Sequence, residues 1–531
     1  MSNEQVIVEK PEFNKFQAAV WPIHGYEMKK FLPMSLMMFC ILFVYTLVRD
    51  LKDTLIVTVA KCGGAECIPN IKLFGVMPMA VIAIIIFAKL VNKFDMQKVF
   101  YIVVGFFLTF YALFGFVIYP ASDYIHASEA TIKGWQASIP SLYWILPLVG
   151  NWSYSLFYIF SELWGSLVIS SLFWQFANQI TKKSEVKRFY GLFACIGNVG
   201  LIFSGFLVKY LSEVANKAIK QGNMNAFTKD VKWQMVCVLL VGAVLIFLYA
   251  YINKCILTDP RFYDPTQVKG KKEKPKMGIG ESFKCIVKSP YLLLITVLVM
   301  GYGIAINLAE VVWKSQGKLY YPSSHEFNNM MANLSITTGI ITIIVTLTGS
   351  NILRKYKWRT AALITPISVL VLSSIFFGIV IYENHAGLNA KIFGINVLAL
   401  AVFFGLIQDA LSKGIKYSLF DSTKQMAYIP LDADLKTKGQ AAVEVIGGRL
   451  GKAGGSAIQS LLTNVLFVGS TLTSLVGVIA PISIVIILAW SGSVCKLSKK
   501  YEALVAENDK ASAGNSNEVK EGDKEKVTVS E

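Results

Sequence analysis

The sequence predicts an all-α polytopic membrane protein, and three observations carry that reading. Hydrophobic residues make up 54% of the 531 and charged residues only 16%, where a soluble domain carries about 25% charge. Mean hydropathy is +0.53. Apolar stretches of roughly 18 residues or more, each long enough to cross a bilayer, recur along the chain. A β-barrel is excluded, because its strands would alternate polar and apolar residues over about ten positions.

The elements follow in order. Residues 1–30 are polar, include Glu4, Glu9 and Glu12, and show no short apolar core before a small-residue cleavage site, so they read as a cytoplasmic segment and not a signal peptide. Within them "FNKFQAAVWPI" (13–23) suits the membrane surface, with Phe13, Phe16 and Trp21 as interfacial anchors. Twelve spans are expected near 31–59, 71–92, 99–119, 144–178, 190–209, 234–253, 290–313, 331–352, 360–382, 392–412, 440–468 and 471–495. The first, fourth and eleventh are long enough to tilt or to include an extramembrane turn. The tail 496–531 is polar and poor in large apolar residues, a composition expected to be disordered.

Loop charges set the orientation. "VNKFDMQK" (91–98), "TKKSEVKR" (181–188), "KGKKEKPK" (269–276) and "RKYKWR" (354–359) fall on one side if both termini are cytoplasmic, as the positive-inside rule requires of an inner-membrane protein. The basic segment 209–233 dissents, reading as a loop on the other side. The net charge of +17 therefore serves topology and not nucleic-acid binding. The loop 254–289 separates a first half, 31–253, from a second, 290–495. Six spans plus six is the parallel repeat of major-facilitator-like transporters, which hold substrate between the halves at mid-membrane. Two echoes support duplication: "RDLKD" in the first span against "AEVVWK" in the seventh, and "SLFWQFANQ" (171–179) against "SLFDSTKQM" (418–426).

The chemistry lies in charges inside the spans, each of which costs about 2.5–3.5 kcal/mol at the bilayer centre unless it faces a cavity or a partner. In "YTLVRDLKDTLIV" (45–57), Tyr45, Arg49, Lys52 and Asp53 share a helical face and Asp50 lies to the side. Glu162 stands in the fourth span with Tyr158 on its face. Asn307, Glu310 and Lys314 align in the seventh, where Lys314 can also be read as snorkelling to the far end. Asp409, Lys413 and Lys416 align at the end of the tenth, equally well a solvated helix end. In the eleventh, "GQAAVEVIGGRLGKAGGSAIQS" (439–460), Gly448, Gly451 and Gly455 form a smooth stripe with Glu444, bordered by Lys452 and Arg449. That stripe suits close helix packing or approach of a ligand to the backbone. "GGRLGKAG" is not a phosphate loop, because GxxxxGK[ST] needs one more residue before Gly-Lys and a hydroxyl after it. Interior cations of this kind suit a polyanionic, phosphate-bearing substrate. Arg49, Lys52, Arg449 and Lys452 are the candidate phosphate ligands. Asp53, Glu162, Glu310, Asp409 and Glu444 are candidates for coupling or gating, and Tyr45, Tyr158, Asn198, Asn307, Lys314 and Lys413 for further substrate contact. The eight cysteines and four histidines show no metal-site spacing, so neither metal nor cofactor is expected. Cys62 and Cys67 share a loop and are either a disulfide or two free thiols.

The phrases "RDLKDTLIVT", "SELWGS", "LFWQFANQITK", "LTDPRFYDP", "GSNILRK", "LSKGIKYSLFDSTKQMAYIPLD" and "KGQAAVEVIGGRLGKAGGSAIQS" closely resemble the ATP/ADP translocases of obligate intracellular bacteria and their plastid relatives. The resemblance runs from "VWPIHGYE" (20–27) to about residue 495. It implies a twelve-helix major-facilitator-like fold and exchange of host ATP for bacterial ADP, or uptake of another nucleotide. It also implies that Lys52 of the first-span motif, Glu162 of "ELWG", Glu310 of the seventh span and Lys452 of "LGKAGG" are functionally sensitive. The rival readings are proton-coupled uptake of a nucleotide or other phosphate compound and, less well supported, a membrane-embedded nucleotide-using enzyme.

Overall fold

The computed structural model describes residues 21–222, 226–259, 262 and 279–528. The expected basic block 269–276 and most of the interfacial N-terminal segment lie outside the described residues. Eleven of the described helices are long and apolar enough to cross a membrane. A twelfth long helix, at the place of the expected eleventh span, runs Ala433–Leu461 and continues through Leu462–Leu466. This helix carries Glu444, Arg449 and Lys452.

We number the long helices in chain order. The first half holds α1 (Met28–Thr54, extended by Leu55–Val59), α2 (Cys67–Lys93), α3 (Met96–Ile118), α4 (Trp152–Ile180), α5 (Lys183–Lys220) and α6 (Ala226–Tyr251, extended to Ile256). The second holds α7 (Pro290–Tyr320), α8 (Ser324–Lys355), α9 (Trp358–Ala386), α10 (Val397–Ala427), α11 (Ala433–Leu466) and α12 (Val476–Thr528). We call the side on which α1 begins the N-terminal face and the side on which it ends the far face.

One expectation is corrected. Most of the expected loop 209–233 is helix, because α5 runs to Lys220 and α6 starts at Ala226; the segment "LSEVANKAIK" is rich in good helix formers. The α12 helix runs on past its membrane span; no proline follows Pro481, and Ala, Glu and Lys favour helix. Of the two readings left open for Cys62 and Cys67, the structure has the free thiols. Between α9 and α10 a two-residue hairpin pairs Lys391–Ile392 with Ile395–Asn396. Its turn holds Phe393 and Gly394 at φ 51° and 81°, the positive values such a turn needs.

The halves pack by one rule used twice. In the first, α1 packs on α5 and α6, and α3 on α6; in the second, α7 packs on α11 and α12, and α9 on α12. Likewise α2 meets α4 as α8 meets α10, and across the molecule α5 meets α8 as α2 meets α11. The Ser-Leu-Phe echo obeys the same rule. Each copy closes a π-helical stretch, Gly165–Phe173 in α4 and Lys416–Phe420 in α10, and each is followed by seven α-helical residues, Trp174–Ile180 and Asp421–Ala427.

The glycine stripe of α11 divides. A Cβ on Gly451 would lie 3.2 Å from the Met300 Cα, and one on Gly303 would lie 2.9 Å from the Gly451 carbonyl carbon, so α7 and α11 touch backbone to backbone here. Gly455 packs on Asn307 of α7, while Gly448 faces open space.

Candidate functional site

Sequence spacing puts the α1 charges on adjoining positions, and packing sends them to three different helices. Lys52, 2% exposed, turns to α4. Its Nζ lies 3.1 Å from Glu162 Oε1 and 3.7 Å from the centre of the Tyr158 ring, a cation–π contact. It also donates to Asp53 Oδ1 at 2.9 Å. Asp53 turns to α7, and its Oδ2 accepts from Lys314 Nζ at 3.0 Å. Arg49 and Asp50 turn to α8. Arg49 Nη2 donates to Ser335 Oγ at 2.7 Å, Ser335 Oγ donates to Asp50 Oδ2 at 2.6 Å, and Arg49 Nε lies 3.2 Å from Asp50 Oδ1. Asp50 is therefore fully buried between the halves and not off to the side.

From Lys314 the network runs on. Lys314 Nζ lies 3.0 Å from Glu310 Oε1, and that same oxygen is 3.4 Å from Lys413 Nζ, which donates to Asp409 Oδ2 at 2.8 Å. Lys72 of α2 completes it, 3.9 Å from Glu310 Oε2 and 2.8 Å from Asn307 Oδ1. Asn307 Nδ2 donates in turn to the Lys452 carbonyl at 3.1 Å and to Ser456 Oγ at 2.8 Å. Lys52, Lys72, Lys314 and Lys413 thus meet Glu162, Asp53, Glu310 and Asp409, cation for carboxylate, across five helices of both halves. Such a cluster answers the desolvation cost of each member with a hydrogen-bonded partner.

Four of these five helices leave the α-helical path at or beside their site residues, α10 doing so just after Lys413 (Lys416–Phe420). A π-helical segment follows Asp53 (Leu55–Val59), another contains Lys72 (Ile71–Val76), and a third follows Glu162 (Gly165–Phe173). Such segments rotate the helix face and free carbonyls, and they recur at functional sites. The Tyr45 ring packs into the gap left by Gly165, where a Cβ would come within 2.9 Å.

The remaining expectations divide as follows. Lys314 does not snorkel; it is 1% exposed, because two carboxylates hold it inside. Asp409 and Lys413 belong to the network and not to a solvated helix end, while Lys416 pairs separately with Asp421 at 2.9 Å. Lys452 is exposed, with no carboxylate within 4 Å among the described residues. Glu444 is exposed and accepts from Gln440 Nε2 of its own helix at 3.2 Å, so it stands outside the network. Asn198 donates to the Ala194 carbonyl of its own helix at 2.8 Å and packs α5 against α8 near Gly339. The side chain of Arg449 lies outside the described residues. The sequence reading missed Lys72, Ser335, Glu66 and Asn70. Lys72 sits at the start of its span, where a lysine reads as interfacial.

Glu66 and Asn70 belong to a layer that closes the far face. Glu66 Oε1 accepts from Ser315 Oγ at 2.9 Å and from the Leu472 amide at 3.1 Å. Asn70 Oδ1 accepts from Ser460 Oγ and Asn464 Nδ2, both at 2.7 Å, and Lys318 Nζ donates to the Gly63 carbonyl at 2.6 Å. Deeper, Thr54 Oγ1 donates to Asn328 Oδ1 at 3.2 Å. These ties between the halves run from mid-depth to the far face, while towards the N-terminal face α11 exposes Lys452 and Glu444.

Two pseudo-equivalent six-helix halves that meet over a buried, charge-balanced cluster define a polytopic membrane transporter. The model of the TLC ATP/ADP transporter family matches residues 7–501. The chain belongs to that family. It is 45% identical to ADP,ATP carrier protein 1 of Chlamydia trachomatis over 501 residues, covering 94% of this chain and 93% of the relative. It is 43% identical to ADP,ATP carrier protein 1 of Rickettsia conorii over 500 residues, covering 94% and 98%. Among solved structures, the nucleoside transporter NupG aligns over 89% of this chain and 99% of its own, at 11% identity and a TM-score of 0.48.

Proposed function

We propose that this protein exchanges ATP for ADP across a bacterial inner membrane by alternating access, with the N-terminal face and both termini cytoplasmic. The observation that carries the reading is the cluster of Lys52, Lys72, Lys314 and Lys413 between the halves, each held by a carboxylate that a phosphate oxygen can replace. Lys452, exposed beside the cluster and bound to it through its carbonyl and Asn307, is the cation an entering polyanion meets without displacing an acid. Family membership and the names of its relatives supply the substrate pair.

The geometry also gives exchange a reason to need substrate. Carboxylates already neutralise the central cations, so substrate must compete with them. The Asp53–Lys314 bond ties α1 to α7, and a triphosphate that draws Lys52 and Lys314 from Asp53 loosens this tie, linking binding to opening of the far face. The balanced charge count favours one second reading. Carboxylates displaced by ATP can take protons, which would couple uptake to a pH gradient.

One experiment separates the two. Proteoliposomes loaded with labelled ADP should release it only when ATP or ADP is added outside, one for one. Release without external nucleotide, with uptake driven by an imposed pH gradient, would overturn exchange in favour of proton coupling.

A further inference from the structure

The first half carries a second cationic cavity, on the far face and away from the central cluster. It measures about 500 Å3, within the usual range of small-molecule sites. It opens where α1 ends, roughly 10 Å along that helix beyond Lys52. Lys61, Lys229 and Lys232 line it, with Asp123 as its acidic residue.

Its frame is preformed. Asn151, fully buried, clamps the Lys61 backbone from both sides: its Oδ1 accepts from the Lys61 amide at 3.1 Å and its Nδ2 donates to the Lys61 carbonyl at 2.9 Å. Lys229 and Lys232 are three residues apart at the start of α6, hence on one face. Thr228 adds a hydroxyl from the first turn, where the helix dipole favours an anion. The acid opposing them is weakly placed. Asp123 Oδ1 is 3.5 Å from Lys61 Nζ and its side chain is 88% exposed, the kind of solvated pair an anion displaces easily. His126, also in the lining, is hydrogen-bonded to Ser153 Oγ at 2.7 Å. Burial and the nearby Lys61 charge push its pKa down to about 4, so at neutral pH it adds no charge to that of the three lysines and Asp123.

We infer that this cavity is a second anion site, binding a phosphate group on the far face while the central site is closed to that side. The ligand is either the phosphate tail of a nucleotide or free inorganic phosphate. It stands apart from the exchange reading, since none of its residues belongs to the central cluster.

The test is lysine footprinting of the full chain in nanodiscs of neutral lipid, with acetylation rates read residue by residue by mass spectrometry. Saturating ATP or inorganic phosphate, at matched ionic strength, should slow acetylation of Lys61 and Lys232 several-fold and leave Lys89 and Lys93 unchanged. The protection should persist in the Lys52→Gln/Lys452→Gln variant, whose central site is disabled. Asp123→Asn should lower the half-protecting concentration, since the competing acid is gone. Protection by phosphate alone identifies a free-phosphate site, and protection by ATP only identifies a nucleotide site; either supports the inference. No protection by either probe, or protection lost in the Lys52→Gln/Lys452→Gln variant, would overturn it.

Discussion

At the residue scale, burial separates two lysines that motif resemblance treats alike. Lys52 is enclosed by Glu162, Asp53 and the Tyr158 ring, so Lys52→Gln takes from Glu162 its ion-pair partner and leaves Asp53 with Lys314 alone. It should cost about 3–5 kcal/mol of stability as well as nucleotide affinity. Lys452 is exposed, so Lys452→Gln should weaken nucleotide binding about tenfold or more while the melting temperature holds. Thermal unfolding and equilibrium binding on the two purified variants check this contrast, and an equal loss of melting temperature would refute it. A titration belongs to this scale too. His126 is buried neutral, with its pKa moved from 6.5 to about 4. Because the unfolded chain binds the proton more readily, stability is retained above about pH 6.5 and lost as pH falls towards 4. His126→Asn should flatten that part of the melting-temperature profile.

At the element scale, the contact of α7 with α11 depends on glycine. Because a Cβ on Gly303 would meet the Gly451 backbone at 2.9 Å, Gly303→Val must push the helices apart, a cost of about 1–3 kcal/mol or more for overpacking. Gly448→Ala, facing open space, should be nearly neutral for stability. The ratio of folded, monodisperse protein for the two variants measures the difference. The sequence showed Gly448, Gly451 and Gly455 as one stripe. It could not say which of them meets a helix, because a 3.6-residue period marks a face and not what lies against it.

At the scale of the whole molecule, the far face is closed by a few hydrogen bonds centred on Glu66 and Asn70. Cys67, 1% exposed, lies beside Glu66 and reports on that closure without an engineered probe. Glu66→Ala removes the acceptor shared by Ser315 and the Leu472 amide. It should raise the rate of Cys67 labelling by a membrane-impermeant maleimide several-fold, as should saturating nucleotide in the wild type. Site-resolved mass spectrometry separates Cys67 from Cys62, which is partly exposed already. An unchanged Cys67 rate in the variant would mean that the layer does not hold the halves together.

What the sequence determined by itself was the class: long apolar segments must be helices in a bilayer, because lipid offers no partner to an unpaired backbone group. Its repeated six-plus-six order and its Ser-Leu-Phe echo reappear as equivalent contacts and equivalent π-helical stretches. It also revealed charges too costly to be incidental, Lys52, Glu162 and Glu310, while Lys314 could still be read as snorkelling and Asp409 as a solvated helix end. Only the tertiary structure decided their partners. Asp53 meets Lys314, 261 residues away, Arg49 meets Ser335, 286 residues away, and Lys72 joins from the end of a span. Helical spacing orders residues within one helix, whereas these pairings depend on how two halves pack across the pseudo-two-fold. The same dependence kept Glu444 and Asn198 out of the cluster, since each side chain bonds within its own helix, although the Asn198 backbone carbonyl lies at the seam beside Gly339.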